Sequence, residues 1–458
     1  MQKIIGKKKL FLYGCSGLGV NMLNIIVGSY LCSALMTGGF ESHIESWTYL
    51  NKTLVVAGLW AVLRFIAKAF DGIIDLPLAA FADKLHTRFG RRKTAILIGL
   101  IPTVISYCLF LVPLEAKESY LNTLWFGGLL IIFYACYTLT MLTYYATFSE
   151  VCRNESDALF LSNSKSICDV VYFSLSFALV PVFITFNVNI RLVALIFLPL
   201  VLSMLIPFFM LKENDEEHEE NAVQPLTLKR ALSVSIKNKT FIYWMFTISV
   251  MTIGLQLFLG GINELFSSTG LNMTVVMASS FAPVPLTILA YNAIVKKFGL
   301  GHGYRFILAI FSLGMVIMLL CYKIIDVVPY SVITIIAVLG GIMISFSIGA
   351  FFSITYTVPT NLAQREFELN NNSVSSMYFA VQGLFEGVAA GIATGPILTL
   401  LKDFNVIYLL PVIVIVCCAI AFVMSFFFPS EISLMSKGVE TEAKTKASTE
   451  VEKQHSIV

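Results

Sequence analysis

The chain has 458 residues, of which 57% are hydrophobic and only 13% charged, and its mean hydropathy is +0.82. A soluble domain carries roughly 25% charged residues, so this composition excludes an ordinary water-soluble protein and points to a membrane chain. The formal net charge of +3 is too small to predict a nucleic-acid partner.

Lys3, Lys7, Lys8 and Lys9 precede a first apolar run, Leu10 to Met36. It is longer than a signal-peptide core and has no cleavage pattern, so a first spanning helix is expected there. Crossing the hydrocarbon takes about 20 apolar residues. Further runs of that kind lie at 53–81, 94–113, 121–148, 164–188, 192–211, 240–264, 273–295, 305–323, 329–358, 374–400 and 404–428. The reading is an all-α membrane protein with twelve transmembrane helices in two pseudo-symmetric six-helix bundles, 1–212 and 239–428. The polar stretch 213–238 is read as a cytoplasmic connector, and 429–458 as a disordered cytoplasmic tail. Nine cysteines are scattered through apolar runs without a CxxC pair or a Cys/His cluster, and read as small buried hydrophobes rather than disulfides or metal ligands.

Sidedness follows from basic loops. Lys84, Arg88, Arg91, Arg92 and Lys93 follow the second run, and Lys296, Lys297 and Arg305 follow the eighth. The loop "GGFESHIESW" on the opposite side has neither Lys nor Arg. Both termini are therefore expected in the cytoplasm of a cell (inner) membrane protein. The halves also echo each other: "LAAFADKLHTRFGRRKTAILIGLIP" has a counterpart in "LAYNAIVKKFGLGHGYRFILAIFSLG". Such repeats are typical of transporters that rock two halves about a central site.

Within the second run, Arg64, Lys68, Asp71 and Asp75 are spaced by four, three and four residues, which places them on one helical stripe. Ionised groups at bilayer depth face a cavity or pair with one another. Two readings follow. Either the two bases neutralise the two acids in a structural ladder, or Asp71 and Asp75 share a small hard cation in an oxygen-rich site. Once that ion left, the adjacent carboxylates would repel, so a proton could take its place. Other polar positions could line a cavity: Tyr144 and Tyr145, Lys165 and Asp169, Asn263 and Glu264, Gln382 and Glu386. Lys165 and Asp169 can also be read as mere partners, Asn263 and Glu264 as markers of the water interface. No HExxH, GxSxG or GxxxxGK[ST] motif is present, so nothing supports an enzyme or a cofactor.

The stretch "DGIIDLPLAAFADKLHTRFGRRKTAILIG" resembles the DxxxDP helix and basic turn of the glycoside–pentoside–hexuronide:cation symporters, the melibiose-permease group of the major facilitator superfamily. The resemblance extends to "YGCSGLGVN", "TYYATFSEVCRNESDALFLSNSKS" and "SMYFAVQGLFEGVAAG". It implies a cation-coupled symporter for a small polar solute, a sugar or glycoside, working by alternating access as a monomer in the lipid bilayer. It further implies that Asp71 and Asp75 bind the coupling ion, Na+ or H+. Asn21 stands where melibiose-type members have a first-helix acid, with Asn24 one turn on. Lys68 and Lys165 fall where the family carries arginines. With Tyr144, Tyr145, Asp169, Gln382 and Glu386, the residues Asn24, Lys68 and Lys165 make up the expected solute site. The family's fourth-helix acid or amide is matched near Met141 and its eleventh-helix lysine near Gly387, departures that argue against a melibiose-like galactoside. A lysolipid carrier of the same fold is the alternative transport reading, and a channel or membrane enzyme the alternative in other classes.

Overall fold

A computed structural model describes residues 6–40, 43–85, 90–152, 155–211, 236–268, 271–324, 327–370 and 375–435. The basic turn at 86–89, nearly all of the expected connector and the tail from 436 onward lie outside these residues. Among those described, eleven helices are long and apolar enough to cross a membrane. The twelfth is Ala57–Lys84, 28 residues long, whose charged stripe sets it apart by composition rather than length.

In chain order the first half comprises Lys7–Ala34, Ala57–Lys84, Arg91–Phe110, Tyr120–Val151, Glu155–Thr185 and Ile190–Met210. The second comprises Lys239–Ser268, a broken eighth helix (Met273–Phe281 and Val284–Phe298), Leu300–Ile324, Tyr330–Asn370, residues 375–403 and Ile407–Ser425. We refer to them as the first to twelfth helices. Helix ten runs past the expected boundary at 358, because "NLAQREFELN" supplies good helix formers that continue the coil after the apolar run ends.

Packing repeats between the halves. The first helix lies against the fifth and sixth, the second against the fourth, and the third against the fourth; correspondingly the seventh lies against the eleventh and twelfth, the eighth against the tenth, and the ninth against the tenth. The two halves meet at two symmetry-related joints, second against eleventh and eighth against fifth. These joints differ in chemistry. At the fifth–eighth joint Phe177 stacks on Phe281 with centroids 4.2 Å apart, and Ser174 donates to the Phe281 carbonyl at 3.1 Å. At the second–eleventh joint, Gly383, Gly387, Gly391 and Gly395 recur every fourth residue and face Gly72, Lys68, Phe65 and Ala61. Small residues let helix backbones approach closely where lipid supplies no hydrophobic drive.

Two features depart from the sequence reading. Cys15 and Cys168 form a disulfide, with Cα atoms 5.5 Å apart, where the first and fifth helices touch around Gly14. Apolar spacing could not reveal that contact. Packed structure also continues past 428: Ser430–Ser433 is a short helix, Ile432 is buried, Leu300 N–H donates to the Met435 carbonyl at 3.2 Å, and Arg365 pairs with Glu431 at 2.9 Å.

Candidate functional site

Two cavities lie between the halves and share Lys68, Gln256 and Phe351 in their walls. One, of about 220 Å3, is bounded by the first, second, fourth, fifth, seventh, tenth and eleventh helices. The other, of about 300 Å3, lies nearer the end of the bundle that holds Lys7. Both sit where the second helix crosses the eleventh, so its charged stripe faces the central space rather than lipid.

The second cavity holds the two aspartates, with Tyr137, Thr138 and Glu386. Asp71 is well supported: its Oδ1 accepts from Thr138 Oγ1 at 2.8 Å and its Oδ2 from Lys68 Nζ at 3.3 Å. Asp75 makes no hydrogen bond or ion pair with any described residue, and faces Gly383, where an added Cβ would stand 3.7 Å from its Oδ2. Two carboxylates and a hydroxyl are hard oxygen donors, a set that suits a sodium ion or a proton as cargo. Lys68 also lies over the Tyr134 ring, 4.0 Å from its centroid, and reaches the first cavity.

Asn21 is buried and enters neither cavity wall; its Oδ1 accepts from the Tyr137 hydroxyl at 2.7 Å, so it supports a cavity residue. Asn24 does line the first cavity, and its Oδ1 is buried without a hydrogen-bond partner. Tyr144 is fully buried and lines neither cavity; its hydroxyl donates to the carbonyls of Tyr13 and Gly14. Tyr145 is 37% exposed, with the Lys165 ammonium 4.8 Å from its ring centroid. Lys165 pairs with Asp169 one turn on, and neither lines these two cavities. Gln382 bonds Trp244, the Thr355 carbonyl and Glu386, so it positions the Glu386 carboxyl that faces the second cavity.

The structure adds residues that linear reading passes over. Tyr172, Phe173 and Phe177 of the fifth helix form an aromatic wall to the first cavity, and Gln256 joins the two spaces. The first helix makes a π turn at Ile26–Leu31 and the eleventh another at Ala393–Ile397, both beside the first cavity. Such turns loosen the backbone ladder, often at functional sites. In the first helix the turn coincides with side-chain bonds to its carbonyls: Arg64 donates to Gly28 at 3.4 Å and Asn263 to Ser29 at 2.8 Å.

Asn263 and Glu264 do not mark a water interface: both are fully buried. At the end of the bundle opposite Lys7, Glu264 pairs with Lys402 of the eleventh helix and accepts from Ser33 Oγ of the first. Lys402 also donates to the Ser33 carbonyl at 2.7 Å, and Gly39 N–H donates to Asn405 Oδ1 at 3.1 Å. The halves are thus tied together at that far end, and the cavities lie on the other side of the tie.

Residues 12–409 match the profile of the family described as MFS/sugar transport protein. The fold is similar to the crystal structure of the nucleoside transporter NupG (TM-score 0.62, 16% identity, covering 92% of this chain and 98% of that one). It is also similar to a bacterial homolog of the human lysosomal transporter Spinster, solved inward-facing and unoccupied (TM-score 0.60, 12% identity, 92% and 97% covered). No curated protein matches by sequence.

Proposed function

The chain belongs to the MFS/sugar transport protein family, a multi-pass membrane transporter rather than an enzyme, and from that premise we propose a cation-coupled symporter for a small polar solute. The observation that carries this reading is the pair of joined cavities between the halves, one bearing Asp71 and Asp75 and the other an aromatic wall with scattered polar groups. The first would take the solute, most simply a single-ring sugar or glycoside. The second would take Na+ or H+.

Lys68 supplies a route for coupling because its ammonium borders both cavities and is held by Asp71. A cation settling on the aspartates competes with Lys68 for Asp71 and frees the ammonium for a group in the first cavity. Solute and ion would then favour each other's binding, as linkage requires. The far-end tie corresponds to one state of an alternating-access cycle, with both termini and the open side in the cytoplasm, as the basic loops suggest.

The test is uptake into proteoliposomes. One arm imposes a sodium gradient at fixed pH, the other a pH gradient without sodium. Accumulation in either arm supports symport and identifies the ion. Uptake that only equilibrates, in both arms, would reduce the protein to a facilitator.

A further inference from the structure

We infer that Glu386 is a proton site, separate from the cation seat on Asp71 and Asp75, and that it releases its proton when the cation arrives. This rests on the cation-coupled reading above and deepens it. The three acids share one cavity wall. Among the described residues, however, no three acidic, histidine or cysteine side chains are grouped to hold one metal ion. The wall therefore offers two addresses rather than a single cage. Gly387 lies on Gly72, so Glu386 and Asp71, each one residue earlier, stand at the same level on opposite halves.

Charge sets the requirement. The second helix brings Arg64, Lys68, Asp71 and Asp75 to the two cavity walls and the eleventh brings Glu386. The fourth adds the neutral phenols of Tyr134 and Tyr137, the fifth that of Tyr172, and the first, seventh and tenth add no titratable group. Arg64 has no ion pair with any described residue, so the expected ladder stops at Lys68 and Asp71. With every group ionised, two positive charges face three negative ones. An uncompensated charge is costly away from water, and one monovalent charge cancels this one. A cation on the aspartates supplies it in one state; a proton on Glu386 supplies it in the other.

The surroundings of Glu386 suit that part. It makes no ion pair with any described residue, and its Oε1 accepts from Gln382 Nε2 at 3.0 Å. The Gln382 oxygen is committed to Trp244 at 3.2 Å, so the amide presents only donors to Glu386 and leaves Oε2 to carry the proton. Thr252 of the seventh helix lies in the same wall, 1% exposed, with its Oγ1 buried and unpartnered. A helical threonine commonly bonds the carbonyl one turn back; this one does not. Phe246 meets Phe385 and Gly260 meets Thr394, so Thr252 falls about one turn beyond Glu386, towards Gln256. Through water, a hydroxyl there can accept from the acid or donate to the carboxylate. Asp75 suits the proton less: Lys68 already engages Asp71, so protonating Asp75 would strip the seat of its uncommitted charge. On cation entry the Glu386 O–H bond breaks and the proton passes to water.

The test follows protons released by the purified full chain in weakly buffered solution with a pH-indicator dye. Sodium chloride is added, or choline chloride as the control for ionic strength. Near neutral pH, sodium should release about one proton per ion bound, and choline none. Sodium affinity, read from melting temperature across a sodium series, should rise about tenfold per pH unit there. Glu386→Gln mimics the protonated acid: its sodium affinity should stay weak at every pH, with no proton released. Glu386→Asp should keep part of the release, and Thr252→Val should move the pH at which it occurs. Sodium binding by wild type without proton release overturns the exchange. So does a release that persists in Glu386→Gln, which would place the proton on Asp75. A wild type with no sodium response overturns it too; uptake driven by a pH gradient alone, or its absence, then decides separately whether the cation-coupled reading stands.

Discussion

Gly387 of the eleventh helix lies directly on Gly72 of the second: a Cβ added at 387 would meet the Gly72 Cα and the Lys68 carbonyl, each at 3.1 Å. Both neighbours are backbone atoms, so a side chain there requires the two helices to give way. It occurs one residue from Asp71, so the joint between the halves and the candidate cation site are the same piece of structure.

Gly387→Val should therefore act as a wedge. Its cost falls in the range of about 1–3 kcal/mol for overpacking, but the more telling effect is on the site. Spreading the second and eleventh helices separates Asp75 from Gly383 and Glu386. Cation-dependent stabilisation should fall, measured as the loss of the sodium-induced rise in melting temperature. Gly58→Val, where nothing stands within 4 Å, is the control and should leave that rise intact.

The far-end tie predicts strong non-additivity. Glu264→Gln leaves Lys402 buried with a neutral partner, and breaking one side of a buried pair costs roughly 3–5 kcal/mol. Lys402→Met alone should be similarly harmful. The double change Glu264→Leu with Lys402→Met removes both charges and should recover most of the loss in melting temperature. Because Ser33 lies on the other half, the double variant should also let a cysteine placed at Thr37 react faster with a membrane-impermeant reagent. A loss in the double variant equal to the sum of the two single losses would show that the pair is not coupled.

Tyr144 and Tyr145 show how far the sequence could be read. Adjacent residues on a helix point about 100° apart, so only one of two neighbouring tyrosines can face a given space, and hydropathy does not say which. The structure buries Tyr144 under the Tyr13 and Gly14 carbonyls and leaves Tyr145 half-exposed. The aspartate stripe was legible because its spacing is local to one helix. Thr138, which holds Asp71, was not, since it comes from the fourth helix; nor was the missing partner of Arg64. The glycine ladder was present as a period of four, but its meaning depends on which helix lies opposite.

Tyr144→Phe is accordingly expected to cost stability without changing solute affinity. It removes one hydroxyl that serves two carbonyls, worth about 1 kcal/mol. Tyr137→Phe should behave differently, because Tyr137 lines the second cavity and is held there by its bond to Asn21. There the sodium response should weaken while melting temperature changes little. A Tyr144→Phe variant with unchanged stability and weaker solute binding would return Tyr144 to the solute site.

Asp71 and Asp75, alike in the sequence, should separate on mutation. Asp71 holds Lys68 at 3.3 Å and Thr138 at 2.8 Å, whereas Asp75 holds no described residue. Asp71→Asn removes the counter-charge of a partly buried ammonium, so it should lower the melting temperature as well as the cation response. Asp75→Asn removes a carboxylate that lacks a stabilising partner. Its ion-free melting temperature should therefore stay level or rise, while stabilisation by sodium, or by acidification if the ion is a proton, disappears. Thr138→Val gives the intermediate case: one ligand and one hydrogen bond lost, with the response shifted to higher ion concentration rather than abolished. Melting curves of the three variants across a sodium series at fixed pH, and across a pH series without sodium, distinguish these outcomes. An Asp75→Asn protein that still responds fully to both ions would rule out the shared cation site, whatever Asp71→Asn does. A protein destabilised equally by both asparagine substitutions would instead mean that Asp75 has a structural partner in the folded chain.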